Sequence, residues 1–87
     1  IALGATGDAY LELGQEDKAL DYYLKAANKE ENQFTTPVYL MRAGELAESM
    51  GNTKKALELY EQIFADYKNS AEGQAVEKYI ARAKAAN

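Results

Sequence analysis

Seven positions of this chain recur at one fixed displacement. Gly7, Leu13, Gly14, Lys18, Ala19, Leu20 and Tyr23 return as Gly44, Met50, Gly51, Lys55, Ala56, Leu57 and Tyr60, each 37 residues on (44 − 7 = 37). A common displacement over so many sites means that one supersecondary unit has been written twice. Inside each copy an apolar helical pattern runs into a glycine, and a second such pattern begins just beyond it: Leu-Gly-Gln-Glu-Asp at 13–17 and Met-Gly-Asn-Thr at 50–53. Glycine takes the left-handed conformation that ends a helix at little cost, so Gly14 and Gly51 predict tight helix–helix turns. Each copy therefore reads as a helical hairpin.

Gly7 and Gly44 fall in the middle of the first helix of each hairpin, where glycine costs about 1 kcal/mol relative to alanine. Packing must require them. Ala19 and Ala56 are the expected small residues opposite, allowing the two helix axes to approach, with Tyr23 and Tyr60 filling the wider end of the wedge.

On these residues the chain resembles the tetratricopeptide repeat family. That pattern places Trp, Leu-Gly and Tyr on one helix, Ala and Phe on the next, and a closing Pro, over about 34 residues. The first copy resembles it through Leu3, Gly7, Tyr10, Gly14, Ala19 and Tyr23, the second through Leu40, Gly44, Gly51, Ala56 and Tyr60. The chain departs from it as well: Leu replaces Trp in both copies, Thr6 and Ala43 stand in place of Leu, Ala47 replaces Tyr, and Glu31 and Lys68 replace the closing Pro. The extra length per copy falls in the connector 28–36, outside both hairpins. The resemblance implies an all-α, right-handed α-α superhelix forming a single domain over 1–87. Repeat one would span 1–33, repeat two 37–69 and a capping helix 70–86, as the end of a longer solenoid. It also implies a non-catalytic protein-interaction or scaffold module, with no cofactor.

Composition narrows the partners. The chain has 87 residues, and two repeats are fewer than the three or so that such stacks need. Ile1 and Leu3 would leave apolar surface bare on the first helix, so upstream repeats are expected. Homo-oligomerisation through that exposed helix is the alternative. The absence of Cys and His excludes disulfides, thiol chemistry and imidazole metal sites. A net charge of −4 disfavours nucleic acid and anionic membrane, and no apolar run reaches the length of a membrane span. A protein or peptide partner is what the resemblance implies.

Periodicity and caps place five helices. The first covers 1–13, with Leu3, Tyr10 and Leu13 toward its partner, and the second 15–28, with Ala19, Tyr23 and Ala27 in its apolar stripe. Thr36 is the expected cap of the third, Pro37 its first residue, and Phe34 is expected to tuck against it as a staple. That helix ends near Met50. Asn52 is expected to cap the fourth, running to about Tyr67, and Ser70 the fifth, whose stripe is Val76, Tyr79, Ile80 and Ala83.

In the family the resemblance names, ligands lie along the first helices. Matching those positions puts Gly4, Asp8 and Leu11 in the groove from the first copy, and Met41, Arg42, Glu45 and Glu48 from the second. Asp8 and Glu45 are equivalent at the 37-residue displacement, so their carboxylates are expected along one wall. Such a groove would prefer a segment with a basic group and some apolar contact. An acidic wall repels a peptide C-terminus, so the carboxylate-clamping role of the co-chaperone subgroup is not expected. The carboxylate pairs Asp8/Glu12 and Glu45/Glu48 sit at ordinary helix-surface spacing and lack the burial that acid–base work needs. Most of the seven Tyr occupy core positions, with no basic cluster of the kind a nucleic-acid stacking platform requires. The closing segment 66–84 is similar to that of bacterial envelope-associated tetratricopeptide proteins, which leaves the periplasmic side of the envelope and the cytoplasm both open.

Overall fold

Both predicted turns form, and both are closed by glycine. Gly14 has φ +77° and Gly51 φ +83°, a region other residues rarely adopt. In the first turn Gln15 N–H reaches Tyr10 O at 2.9 Å and Gly14 N–H reaches Leu11 O at 3.0 Å; in the second Asn52 N–H reaches Ala47 O at 2.8 Å and Gly51 N–H reaches Glu48 O at 3.0 Å. These are two Schellman motifs, which satisfy the last carbonyls of the first helix and turn the chain back on itself.

The computed structural model describes residues 2–86. They form α1 (Leu3–Glu12), α2 (Glu16–Lys29), α3 (Thr36–Ser49), α4 (Thr53–Asp66) and α5 (Ala71–Ala86), with no strand among the described residues. Each helix packs on the next, and α5 also touches α3, so two hairpins stack and α5 covers the second. The expected caps of the last two helices are present: Asn52 Oδ1 accepts from Lys55 N–H at 3.2 Å, and Ser70 Oγ accepts from Gly73 N–H at 2.9 Å. The core runs through the middle of the stack along Ala19, Tyr23, Leu40, Tyr60, Ile63 and Val76. Burying Leu40 or Ile63 fully contributes about 2 kcal/mol each.

The mid-helix glycines answer to tyrosine more than to alanine. A Cβ at Gly44 would lie 2.6 Å from Tyr60 Cε1, and one at Gly7 would lie 2.7 Å from the Tyr23 ring. At Gly7 the Ala19 carbonyl oxygen follows at 3.4 Å, whereas the nearest atoms at Gly44 all belong to Tyr60. The tyrosine rings thus press against the glycines themselves instead of filling a wedge beyond them.

Three local expectations are corrected. Thr36 is not the cap of α3 but its first residue, and it is 1% exposed. Its hydroxyl donates to Ala27 O at 3.2 Å and accepts from Asn32 N–H at 2.9 Å, tying the end of α2 to the start of α3. No side chain caps α3; Asn32 instead closes the turn ahead of it, its Oδ1 accepting from Phe34 N–H at 2.8 Å and Thr35 N–H at 2.7 Å. That turn sends the Phe34 side chain into solvent, 85% exposed, where no staple forms. Leu13 is 69% exposed as well, because it is the C-cap of α1 and lies beyond the turns that meet α2. Tyr10 is half-buried and stacks on Tyr22 at 5.4 Å between ring centroids.

Candidate protein-binding groove

One side-chain arrangement appears twice where a first helix meets the hairpin before it. In the first, Asp8 accepts a short hydrogen bond from the Tyr23 hydroxyl, and Arg42 of α3 reaches both Asp8 oxygens at 3.3 Å. In the second, Glu48 accepts from the Tyr60 hydroxyl at 2.8 Å, while Arg82 of α5 binds it in bidentate fashion at 2.8 and 2.7 Å. Each arginine also lies over the tyrosine one turn before it: Arg42 is 5.3 Å from the Tyr39 centroid and Arg82 4.9 Å from that of Tyr79. Those two rings in turn meet the hairpin tyrosines, Tyr39 with Tyr23 at 6.3 Å and Tyr79 with Tyr60 at 5.5 Å. Each clasp joins three helices.

Proton affinities follow the burial and the hydrogen bonds. Burial, and then the Asp8 carboxylate, push the Tyr23 phenol up to about 12. Tyr60 is pushed up in the same way by burial and by Glu48. The Arg82 hydrogen bonds hold Glu48 below the usual carboxylate range against the opposing effect of desolvation. A carboxyl shifted downward is the opposite of what general-acid chemistry needs. Among the described residues no carboxylate cluster is arranged to hold a metal ion, and no buried side-chain polar atom lacks a partner.

The residues matched to the groove divide into two groups. Asp8, Leu11, Arg42 and Glu45 line one cleft of about 430 Å³ between α1 and α3, together with Glu16, Tyr23, Leu46 and Ser49. Met41 and Glu48 do not line it. Met41 is half-buried against the core, and Glu48 is turned toward Tyr60 and Arg82. Gly4 is buried beneath the Tyr39 ring, whose hydroxyl a Cβ there would meet at 2.1 Å. Asp8 and Glu45 share this cleft, where Arg42 neutralises Asp8.

Sequence reasoning missed Tyr23, Tyr39, Tyr79 and Arg82 as partners of these carboxylates. At the 37-residue displacement Asp8 matches Glu45, but the structure uses Glu48, one turn further on. The clasp residues on the first helices and α5 are instead displaced by 40, as in 8 to 48 and 42 to 82. The signal was present as Tyr-x-x-Arg, at 39–42 and again at 79–82.

Comparison with known proteins agrees with this architecture. Two family models, each described as tetratricopeptide repeat, match residues 2–28 and 39–70. Neither the curated proteins nor the solved structures yield a match. The first match covers α1 and most of α2, and the second runs from within α3 through α4 to the residue before α5. Two such matches, on two stacked helical hairpins closed by a fifth helix, show that the chain belongs to the tetratricopeptide repeat family, whose repeats generally mediate protein–protein interaction.

Proposed function

We propose that this chain is a non-catalytic binding module, and that the cleft between α1 and α3 takes a segment of a partner protein. In this reading 1–33 and 37–69 are the two repeats and 70–86 is the cap. The segment sets a basic side chain between Glu16 and Glu45 and an apolar side chain against Leu11. The carrying observation is the contrast within the cleft. Asp8 and Arg42 satisfy each other, whereas Glu16 and Glu45 make no ion pair among the described residues. Leu11, 40% exposed, supplies uncovered apolar surface beside them. The paired residues support a wall built before the partner arrives, which lowers the ordering cost of binding. The unpaired carboxylates choose the charge of what enters, and an approaching anion is repelled.

Selection from a random displayed-peptide library tests this. The intact chain should enrich peptides that combine Lys or Arg with a nearby apolar residue. Glu45→Lys should weaken those peptides about tenfold through like-charge repulsion, and Leu11→Asp by a similar factor. Enriched peptides that bind both variants as tightly as the parent would show that the cleft is not the site.

A further inference from the structure

The two clasps hold their carboxylates differently. Arg82 grips Glu48 through Nε and Nη2 as a planar fork, and Glu48 is half-buried beneath it. Arg42 reaches Asp8 through Nη1 alone, at 3.3 Å to each oxygen, and both residues stay exposed. Asp8 and Arg42 line the cleft between α1 and α3, whereas Glu48 and Arg82 do not. A side chain that enters the cleft therefore meets an Asp8 whose charge is already balanced from within the chain. Among the described residues Arg42 is the one basic group lining the cleft, against the three carboxylates of Asp8, Glu16 and Glu45. It is steadied from a second side by Tyr39, whose ring centroid lies 5.3 Å from its guanidinium carbon.

We propose that Arg42 sets the specificity of this cleft: it limits the bound segment to a single basic residue and rejects segments that carry a second one about a turn away. This rests on the reading of the cleft as the binding site. Arg42 and Glu45 are three residues apart on α3, so their side chains are neighbours one turn apart. In a segment running along α3, a basic side chain beside Glu45 brings a second one next to Arg42. The second lies three or four residues away if the segment is helical, and about two if it is extended at roughly 3.3 Å per residue. Without Arg42, Asp8 would offer that second group a carboxylate. With it, the carboxylate is taken and a like charge stands in its place. Selectivity of this kind needs an element that repels the wrong partner as well as elements that attract the right one. Polybasic segments thus gain nothing in the cleft from their extra charges, although the net charge of −4 draws them to the chain.

Parallel selections from one random displayed-peptide library, with the parent, Arg42→Gln and Arg42→Lys as bait, test this. The parent should enrich peptides with one Lys or Arg near an apolar residue. Arg42→Gln should enrich peptides with two basic residues, separated by two to four positions. Arg42→Lys keeps the charge and should select as the parent does. The tightest single-basic peptide from the parent selection is then resynthesised with a second Lys two, three or four positions to either side. At the best of these positions the second Lys should tighten binding to Arg42→Gln about fivefold, the size of one exposed ion pair, and should not tighten binding to the parent. Equal enrichment of two-basic peptides by parent and Arg42→Gln overturns the proposal but leaves the cleft as the site, and so does an Arg42→Lys that selects like Arg42→Gln. Peptides that bind Leu11→Asp as tightly as the parent overturn both. Should Arg42→Gln lose helix by circular dichroism, the parent still decides, since a second Lys that tightens its binding contradicts the role given to Arg42.

Discussion

The Tyr60 ring lies so close to Gly44 that a Cβ at that position would sit 2.6 Å from Cε1, and Tyr23 stands to Gly7 in the same way at 2.7 Å. Helix propensity alone favours alanine over glycine by about 1 kcal/mol at such a site. The contact reverses the preference. Gly44→Ala and Gly7→Ala should each destabilise the fold by about 1–3 kcal/mol, the usual cost of an added methyl in a packed core. Urea unfolding followed by circular dichroism measures this, and a gain in stability for either variant would contradict it.

Glu48 links the fold to acid. Its folded-state pKa lies below that of the unfolded chain because Arg82 stabilises the charged form. The stabilisation is therefore complete above the unfolded carboxylate range and is lost as pH falls through the folded value. Glu48→Gln should be less stable than the parent at neutral pH, and the difference should shrink on acidification below about pH 4. Thermal melts across that window test the prediction, and a difference that stays constant with pH would assign no role to the ionised carboxylate.

Tyr23 reports on the other clasp. Burial is the larger cause of its phenol pKa of about 12, and the Asp8 carboxylate is the second. Asp8→Asn should move the pKa part of the way toward the ordinary value of about 10 and leave the burial contribution in place. Because the folded-state pKa is raised, the associated stability is present below the unfolded value and is lost as pH rises through the folded one. Alkaline titration of the tyrosine NMR signals resolves the shift. No movement of Tyr23 in the variant would mean that the hydroxyl does not face Asp8 in solution.

The connector between the hairpins rests on one side chain. Asn32 accepts from two backbone amides and donates to Glu30 O at 3.1 Å and Thr35 Oγ1 at 2.7 Å. Asn32→Ala should cost about 1–2 kcal/mol, the scale of losing side-chain hydrogen bonds that hold a turn. Phe34→Ser, on the exposed neighbour, should stay within about 0.5 kcal/mol. Equal effects of the two changes in chemical denaturation would refute this division of roles.

The hairpins were legible because their signals are local: a glycine in the left-handed region at 14 and 51, a cap at Asn52 and Ser70, and an apolar stripe at helical spacing. The duplication at 37 residues then pointed to Gly7 opposite Ala19 and Gly44 opposite Ala56, whereas the tyrosine rings are the nearer neighbours. Relations that depend on how one helix slides along another were not legible. Arg42 and Asp8 are 34 residues apart, as are Arg82 and Glu48. Those pairs are set by the inter-helix register, which does not follow the 37-residue displacement of the hairpins. The same cause removed Met41 and Glu48 from the cleft. Phe34 and Thr36 were misplaced for a smaller reason, since Asn32 closes the turn ahead of α3 and the Thr36 hydroxyl is taken up by Ala27 O and Asn32 N–H.

A double-mutant cycle between Gly44 and Tyr60 addresses the packing on which the hairpins, and hence the cleft, are built. Gly44→Ala is compared in the parent and in Tyr60→Leu, with all four proteins held in trimethylamine N-oxide so that the weakest remains folded. Removing the ring should turn the alanine substitution from destabilising to stabilising by up to about 1 kcal/mol, as helix propensity alone dictates. An equal loss in both backgrounds would mean that something other than the tyrosine demands glycine there.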